Sequence, residues 1–219
     1  MMRIKVCGMR QPENIEALLE LPIDYIGFIL YYKSKRYVGN TALAEWLEQN
    51  EALFEKVKKV GVVVNGSIHE LLNVVHDYKL DFLQLHGDES AEYCREISLL
   101  WQASSVRRAK LIKAFSVDED FDFSQTAAYE PYCSFFIFDT KGAGYGGTGR
   151  QFDWDLLNQY DGTLPFILSG GIGPDSLEDL QGFYHPRMAG IDLNSRFEIE
   201  PGLKNIPQLE TFISKLNTL

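Results

Sequence analysis

The chain is 219 residues long, 45% hydrophobic and 24% charged, with a formal net charge of −10. That length fits one domain with a full core, and the acidic balance argues against nucleic acid as a partner, so any bound anion must be held locally. Cys7, Cys94 and Cys133 stand apart without a CxxC pair, which points away from a disulfide framework or zinc ribbon and toward a reducing compartment.

The N-terminal stretch has no long apolar run, and the strongest such run, residues 25–32, is too short to span a bilayer. A cytoplasmic protein with no membrane partner is expected. In chain order, a β-branched run at 3–7 predicts a strand, followed by a helix at 14–20 and a strand at 25–30. Asn40-Thr41 then opens a helix at 43–53, with a strand at 58–64, a helix at 68–77, a strand at 82–85 and a helix at 91–97. After a strand at 110–115, the acidic, Phe-rich residues 118–129 have poor helical periodicity and predict a short or distorted helix. The remaining elements are a strand at 134–139, a helix at 154–160, a strand at 166–169, a helix at 176–180 opened by Pro174-Asp175-Ser176, a strand at 189–193 and a helix at 209–216.

Eight β/α units at about 27 residues each predict an α/β fold, a single (β/α)8 TIM barrel with a parallel sheet and one domain over residues 1–219. In that architecture the chemistry sits at the carboxyl ends of the strands and in the loops that follow.

Residues 141–150 follow the sixth strand and contain five glycines, a composition that lets backbone N–H groups crowd round an anion or else makes a flexible loop. Ser169-Gly170-Gly171-Ile172 after the seventh strand and Asp192-Leu193-Asn194-Ser195-Arg196 after the eighth strengthen the anion reading. Loops after those two strands, completed by a short helix N-terminus, are the habitual phosphate site of a barrel. Neither a dinucleotide fingerprint nor a P-loop is present, so no nucleotide cofactor is expected.

Cys7 closes the first strand, where it is either a small core residue or a thiol facing the ligand and able to act as a base. Asp139 ends the sixth strand just before the Gly-rich loop and serves either as a loop cap or as an acid. Arg36, flanked by Lys35 and Tyr37, can offer a bidentate fork to a substrate carboxylate, while Lys33 and Lys35 read as a solvated face. His86 ends the fourth strand and either touches ligand or orients its loop. The other histidines fall in the third helix or a late loop, so no metal site is expected.

Taken together these segments resemble the phosphoribosylanthranilate isomerase family along nearly the whole chain. The resemblance is carried by Lys5-Val6-Cys7-Gly8, Gly27-Phe28, Ser34, Arg36-Tyr37-Val38, Val60-Gly61-Val62 and Asn65. It continues through Leu83-Gln84-Leu85-His86-Gly87-Asp88-Glu89, Lys113-Ala114-Phe115, Asp139, Gly146-Gly147-Thr148-Gly149-Arg150 and Phe152-Asp153-Trp154. The last matches are Ser169-Gly170-Gly171-Ile172, Pro174, Gly190-Ile191-Asp192, Asn194-Ser195, Glu198 and Pro201-Gly202.

The resemblance implies an Amadori-type isomerisation of N-(5-phosphoribosyl)anthranilate, a step of tryptophan biosynthesis, without cofactor or metal. It implies Asp139 as the general acid, Cys7 as the general base and Arg36 as the anchor of the anthranilate carboxylate. The phosphate is then expected on Gly146, Gly147, Thr148, Gly149, Gly170, Gly171, Asn194 and Ser195. A small phosphorylated molecule is the expected partner, and the protein is expected to be a monomer or a homodimer.

Three positions depart from the family pattern. Lys35 stands where a proline is usual and removes a φ restraint from the Arg36 loop. Arg196 stands where glycine is frequent, with either a clash or a further phosphate contact as its consequence, and Ser176 replaces a more usual Asn. Rival phosphate-binding barrels that rely on a catalytic lysine with glutamates, or on metal-binding histidines, lack their residues here. A silent binding protein would need neither Cys7 nor Asp139.

Overall fold

The computed structural model describes residues 2–39, 41–103, 108–140 and 153–217. Eight parallel strands close into a barrel in chain order, with the eighth pairing back onto the first. They are β1 (Arg3–Val6), β2 (Tyr25–Ile29), β3 (Lys58–Val63), β4 (Phe82–Leu85), β5 (Lys110–Val117), β6 (Cys133–Thr140), β7 (Phe166–Leu168) and β8 (Met188–Leu193). Both faces of such a sheet are covered, and all five residues of β2 are accordingly buried.

Alternation along the strands separates two apolar layers. Ile26, Phe28, Phe136 and Phe138 face outward into the main core beneath the helices. Tyr25, Val60, Phe82, Ile112, Phe135 and Ile167 belong to a distinct cluster inside the barrel. There the rings of Tyr25, Phe82 and Phe135 meet pairwise at 5.6, 5.6 and 5.5 Å and plug the barrel. Above the plug a smaller group of Cys7, Ile29 and Val62 begins the floor of the site.

The helices are α1 (Pro12–Leu19), α2 (Thr41–Gln49), α3 (Ile68–Asp77), α4 (Ala91–Ala103), α5 (Leu177–Gly182) and α6 (Ile206–Leu216). α3 starts at a capping box in which the Ser67 hydroxyl accepts from Glu70 N while the Glu70 carboxylate accepts from Ser67 N. Three differences from the sequence expectation have local causes. The helix expected at 43–53 stops at Gln49, because the Asn50 amide donates to the Trp46 carbonyl at 2.9 Å, and a 3-10 turn, Glu51–Phe54, follows.

The helix expected at 154–160 is a 3-10 turn, Trp154–Gln159, opened by the Asp153 carboxylate accepting from Asp155 N. Ser176 does not cap α5 because its hydroxyl accepts from Gly173 N at 3.0 Å, whereas residues 118–129 hold a 3-10 turn, Phe123–Tyr129, the short or distorted helix expected there. Past β8, a 3-10 turn, Ser195–Phe197, leads into an unanticipated antiparallel pair, β9 (Glu198–Glu200) and β10 (Leu203–Lys204). All three cysteines are buried and free. Among the described residues no helix is long and apolar enough to cross a membrane.

Candidate active site

Toward the carboxyl ends of the strands the inward-facing side chains turn from apolar to polar, and the barrel opens into a cavity. Cys7, His86, Asp139, Gly170, Gly171, Asn194 and Ser195 all line it. The sequence reading therefore named residues that the fold gathers around one space.

Cys7 follows β1, and the turn after it is made by Gly8 at φ 82, a conformation that favours glycine. The amides of Gly8 and Met9 both donate to the Gly27 carbonyl, at 2.9 and 3.0 Å. The thiol packs straight onto Gly27, where a Cβ would lie 2.7 Å from Sγ. Burial pushes the Cys7 thiol up from its ordinary value, while the Lys5 ammonium pulls the other way. Lys5 in turn donates to Asp192 Oδ2 at 2.9 Å, with both side chains buried.

Asp139 stands on β6, three strands from β1 around the closed ring. Its Oδ2 is 3.3 Å from His86 Nε2, and on the far side of the ring the Gln84 amide lies 2.8 Å from Nδ1. With that amide donating to Nδ1, the imidazole carries its proton on Nε2, facing the carboxylate. His86 thus touches the candidate acid as well as the cavity.

The opposite wall suits an anion. Gly170 and Gly171 have φ 93 and 72, two consecutive left-handed residues that turn the chain into a concave run of amides. Among the described residues the amides of Gly170, Gly171 and Ser195 donate to no backbone acceptor. Gly146, Gly147, Thr148 and Gly149 lie outside the described residues.

Arg36 is placed differently from a free fork. Its Nε and Nη2 are engaged by Glu198, with contacts of 2.8, 3.0 and 2.6 Å, which leaves the terminal Nη1 edge of the guanidinium for a ligand. Glu198 also accepts from Lys204 Nζ at 2.6 Å, and Lys204 donates on to Asn194 Oδ1 at 2.9 Å. Arg36 therefore reaches the cavity wall through a chain of ions beside Gly8, whose missing Cβ would lie 2.7 Å from Arg36 Cδ. Sequence reasoning assigned no role to Lys5, Gln84, Asp192, Glu198 or Lys204. The available signal was parity, since Lys5 and Asp192 are charged residues on apolar strands at the same alternation as Cys7 and Asn194.

A family model described as N-(5'phosphoribosyl)anthranilate (PRA) isomerase matches residues 4–215. The chain belongs to this family. The isomerase of that name from Parabacteroides distasonis is 48% identical over 215 residues, which cover 98% of this chain and 93% of the relative. Among solved structures, the phosphoribosyl anthranilate isomerase from Thermotoga maritima aligns with a TM-score of 0.82 at 31% identity over 100% of both chains. Another solved isomerase, in complex with reduced 1-(o-carboxyphenylamino)-1-deoxyribulose 5-phosphate, aligns at 0.79 and 29% identity, again over 100% of both.

The departures from the family pattern are accommodated locally. Where Lys35 replaces the usual proline, its carbonyl accepts from Arg10 Nη1 at 3.2 Å and the Arg36 amide donates to the Ser34 hydroxyl at 3.1 Å, so hydrogen bonds restrain the loop. Arg196 turns away to Asp175, at 2.7 and 2.8 Å, and clasps the loops after β7 and β8 together from outside.

Proposed function

We infer that this chain isomerises N-(5'-phosphoribosyl)anthranilate to 1-(2-carboxyphenylamino)-1-deoxyribulose 5-phosphate. The observation that carries the reading is the placement of a thiol and a carboxyl on separate walls of one cavity whose third wall is lined by amides. Asp139 donates a proton to the ribose ring oxygen as the bond from that oxygen to C1′ breaks, leaving a protonated Schiff base. The Cys7 thiolate then removes the C2′ proton, and the C–H electron pair moves into C1′–C2′ and toward nitrogen to give the enolamine. Tautomerisation yields the ketone.

His86 holds Asp139 in place by donating its Nε2 proton to one carboxyl oxygen, a role supported by their 3.3 Å contact. The free edge of Arg36 takes the anthranilate carboxylate. The phosphate rests on the amides of Gly170, Gly171 and Ser195, on Asn194 and on the 146–149 stretch. The same reading takes the protein as a cytoplasmic monomer or homodimer without nucleic-acid or membrane partner, supported by its charge of −10 and its three free cysteines. Loss of anthranilate fluorescence with freshly generated substrate is the test. No turnover by the wild-type chain, alongside tight binding of a product analogue, would overturn the reading in favour of a binding protein.

A further inference from the structure

The proposed base poses an electrostatic problem. A thiol must lose its proton to act as a base, yet Cys7 is 4% exposed and burial disfavours the charged form. Compensating charge must come from a neighbouring element. β2 offers none, since the thiol rests on Gly27. β4 and β6 bring His86 and Asp139, which are paired with each other across the cavity. The Arg36 loop brings a guanidinium committed to Glu198, and β10 brings Lys204, whose ammonium is committed to the same carboxylate at 2.6 Å and pulls on the thiol less than Lys5 does. β8 contributes Asp192, an anion of the wrong sign.

That leaves Lys5 on β1 itself. Lys5 on β1 and Cys7 just past its end are two residues apart in one extended run, which Cys7 N continues by donating to the Leu193 carbonyl, and so face the same way, into the barrel. Lys5 is fully buried and is not among the residues lining the cavity, so it lies beneath the substrate's space without reaching it. We propose that Lys5 is a positioning residue whose ammonium is the counter-charge to the Cys7 thiolate, with Asp192 on the neighbouring strand holding that ammonium in place.

The geometry of the pair supports this assignment. An ammonium has three donors. One goes to Asp192 Oδ2 at 2.9 Å, which leaves two donors on an ammonium that shares its face of the chain with Cys7. Burial works against the charge on Lys5, but Asp192 and Cys7 together hold its ammonium above the ordinary range, so it stays charged when the thiol ionises. Asp192 Oδ1, buried and without a hydrogen-bond partner among the described residues, shows that the carboxylate is turned toward Lys5 through one oxygen only. In the reaction, the C2′ proton passes to the thiolate and the C–H electron pair stays with the substrate. The ammonium keeps all its protons throughout and only stabilises the state before transfer.

The proposal rests on Cys7 being the base, and its test separates the two. Two variants remove the charge: Lys5→Gln keeps a donor to Asp192, and Lys5→Met/Asp192→Asn removes both charges and leaves no anion behind. The rate of Cys7 alkylation by iodoacetamide, followed by peptide mass spectrometry across pH in the free protein, reads out the thiolate directly. In both variants the alkylation midpoint is expected to move up by at least about one pH unit. That corresponds to roughly tenfold slower labelling at neutral pH. In Lys5→Gln the acidic limb of kcat/KM is expected to move in the same direction, with KM little changed because Lys5 does not touch substrate.

A midpoint unmoved in both variants, even with lowered thermal stability, would reduce Lys5 to a packing residue. A shift in Lys5→Gln that is absent from the double variant would trace the effect to an uncompensated Asp192, and it too would overturn the proposal. Turnover surviving in Cys7→Ala would instead remove the base, and this counter-charge role with it.

Discussion

Replacing Glu198 by Gln keeps its volume and removes one negative charge from the point where two cations meet. The carboxylate accepts from Arg36 at 2.8, 3.0 and 2.6 Å, from Lys204 Nζ at 2.6 Å and from Gly202 N at 3.1 Å. Lys204 has no exposed side-chain surface and Arg36 only 13%, so Glu198→Gln leaves positive charge with little water to solvate it. Breaking such a pair from one side costs about 3–5 kcal/mol. Burial already holds Lys204 below its ordinary value despite Glu198, so it can shed its proton in the variant, which favours the lower end of that range. At roughly 2–4 °C per kcal/mol for a chain of this size, Tm should fall by about 6–20 °C.

The pH dependence has a definite sign. Burial pushes the Glu198 carboxyl up, but Arg36 and Lys204 outweigh it and hold the group below its ordinary value. A depressed carboxyl stabilises fully above the unfolded value, near about 4.3, and the contribution is lost as pH falls through the folded value. Urea unfolding of wild type and Glu198→Gln should therefore differ most at neutral pH and converge in acid. A gap under about 1 kcal/mol at neutral pH, smaller than an ordinary net hydrogen bond, would refute the reasoning, as would a gap that survives acidification.

Cys7→Ala and Asp139→Asn should each lower kcat by roughly 10²–10⁴-fold with smaller changes in KM, and near-normal turnover would remove the residue from the mechanism. Arg36→Met should weaken a carboxylate-bearing product analogue by roughly 10- to 150-fold while leaving an analogue without the ring carboxylate almost unchanged, as titration calorimetry with both ligands would show. Gly27→Ala places a methyl 2.7 Å from Cys7 Sγ and 3.0 Å from Cys7 Cα, so the thiol must move. Its kcat should fall with the fold retained by circular dichroism, and unchanged kcat would mean that the thiol's position is not critical.

The eight strands were legible because each is a short apolar run and the parallel barrel buries both faces of every one. Helix ends were less so: nothing local marks that Asn50 will bond back to Trp46, or that Asp153 will open a 3-10 turn rather than an α-helix. Cys7 and Asp139 stood out as reactive groups at strand ends. Arg36 stood out as well, but its partner did not, since Glu198 lies 162 residues further along the chain. Lys5 and Asp192, 187 residues apart, acquire meaning only when β8 closes against β1. Local pattern reveals which groups can do chemistry, whereas the partners that tune them depend on ring closure.

The hairpin after β8 carries this further. Asn14, on the first helix, exchanges two hydrogen bonds with the Lys204 backbone, at 3.0 and 2.8 Å across 190 residues. Contacts of such long sequence separation form late in folding. Until β8 and the hairpin close against β1, Lys5 has no Asp192 beside it and Arg36 has no Glu198. The thiol of the open chain is thus an ordinary solvated cysteine, and it acquires the setting of a specific base only with the shutting of the ring.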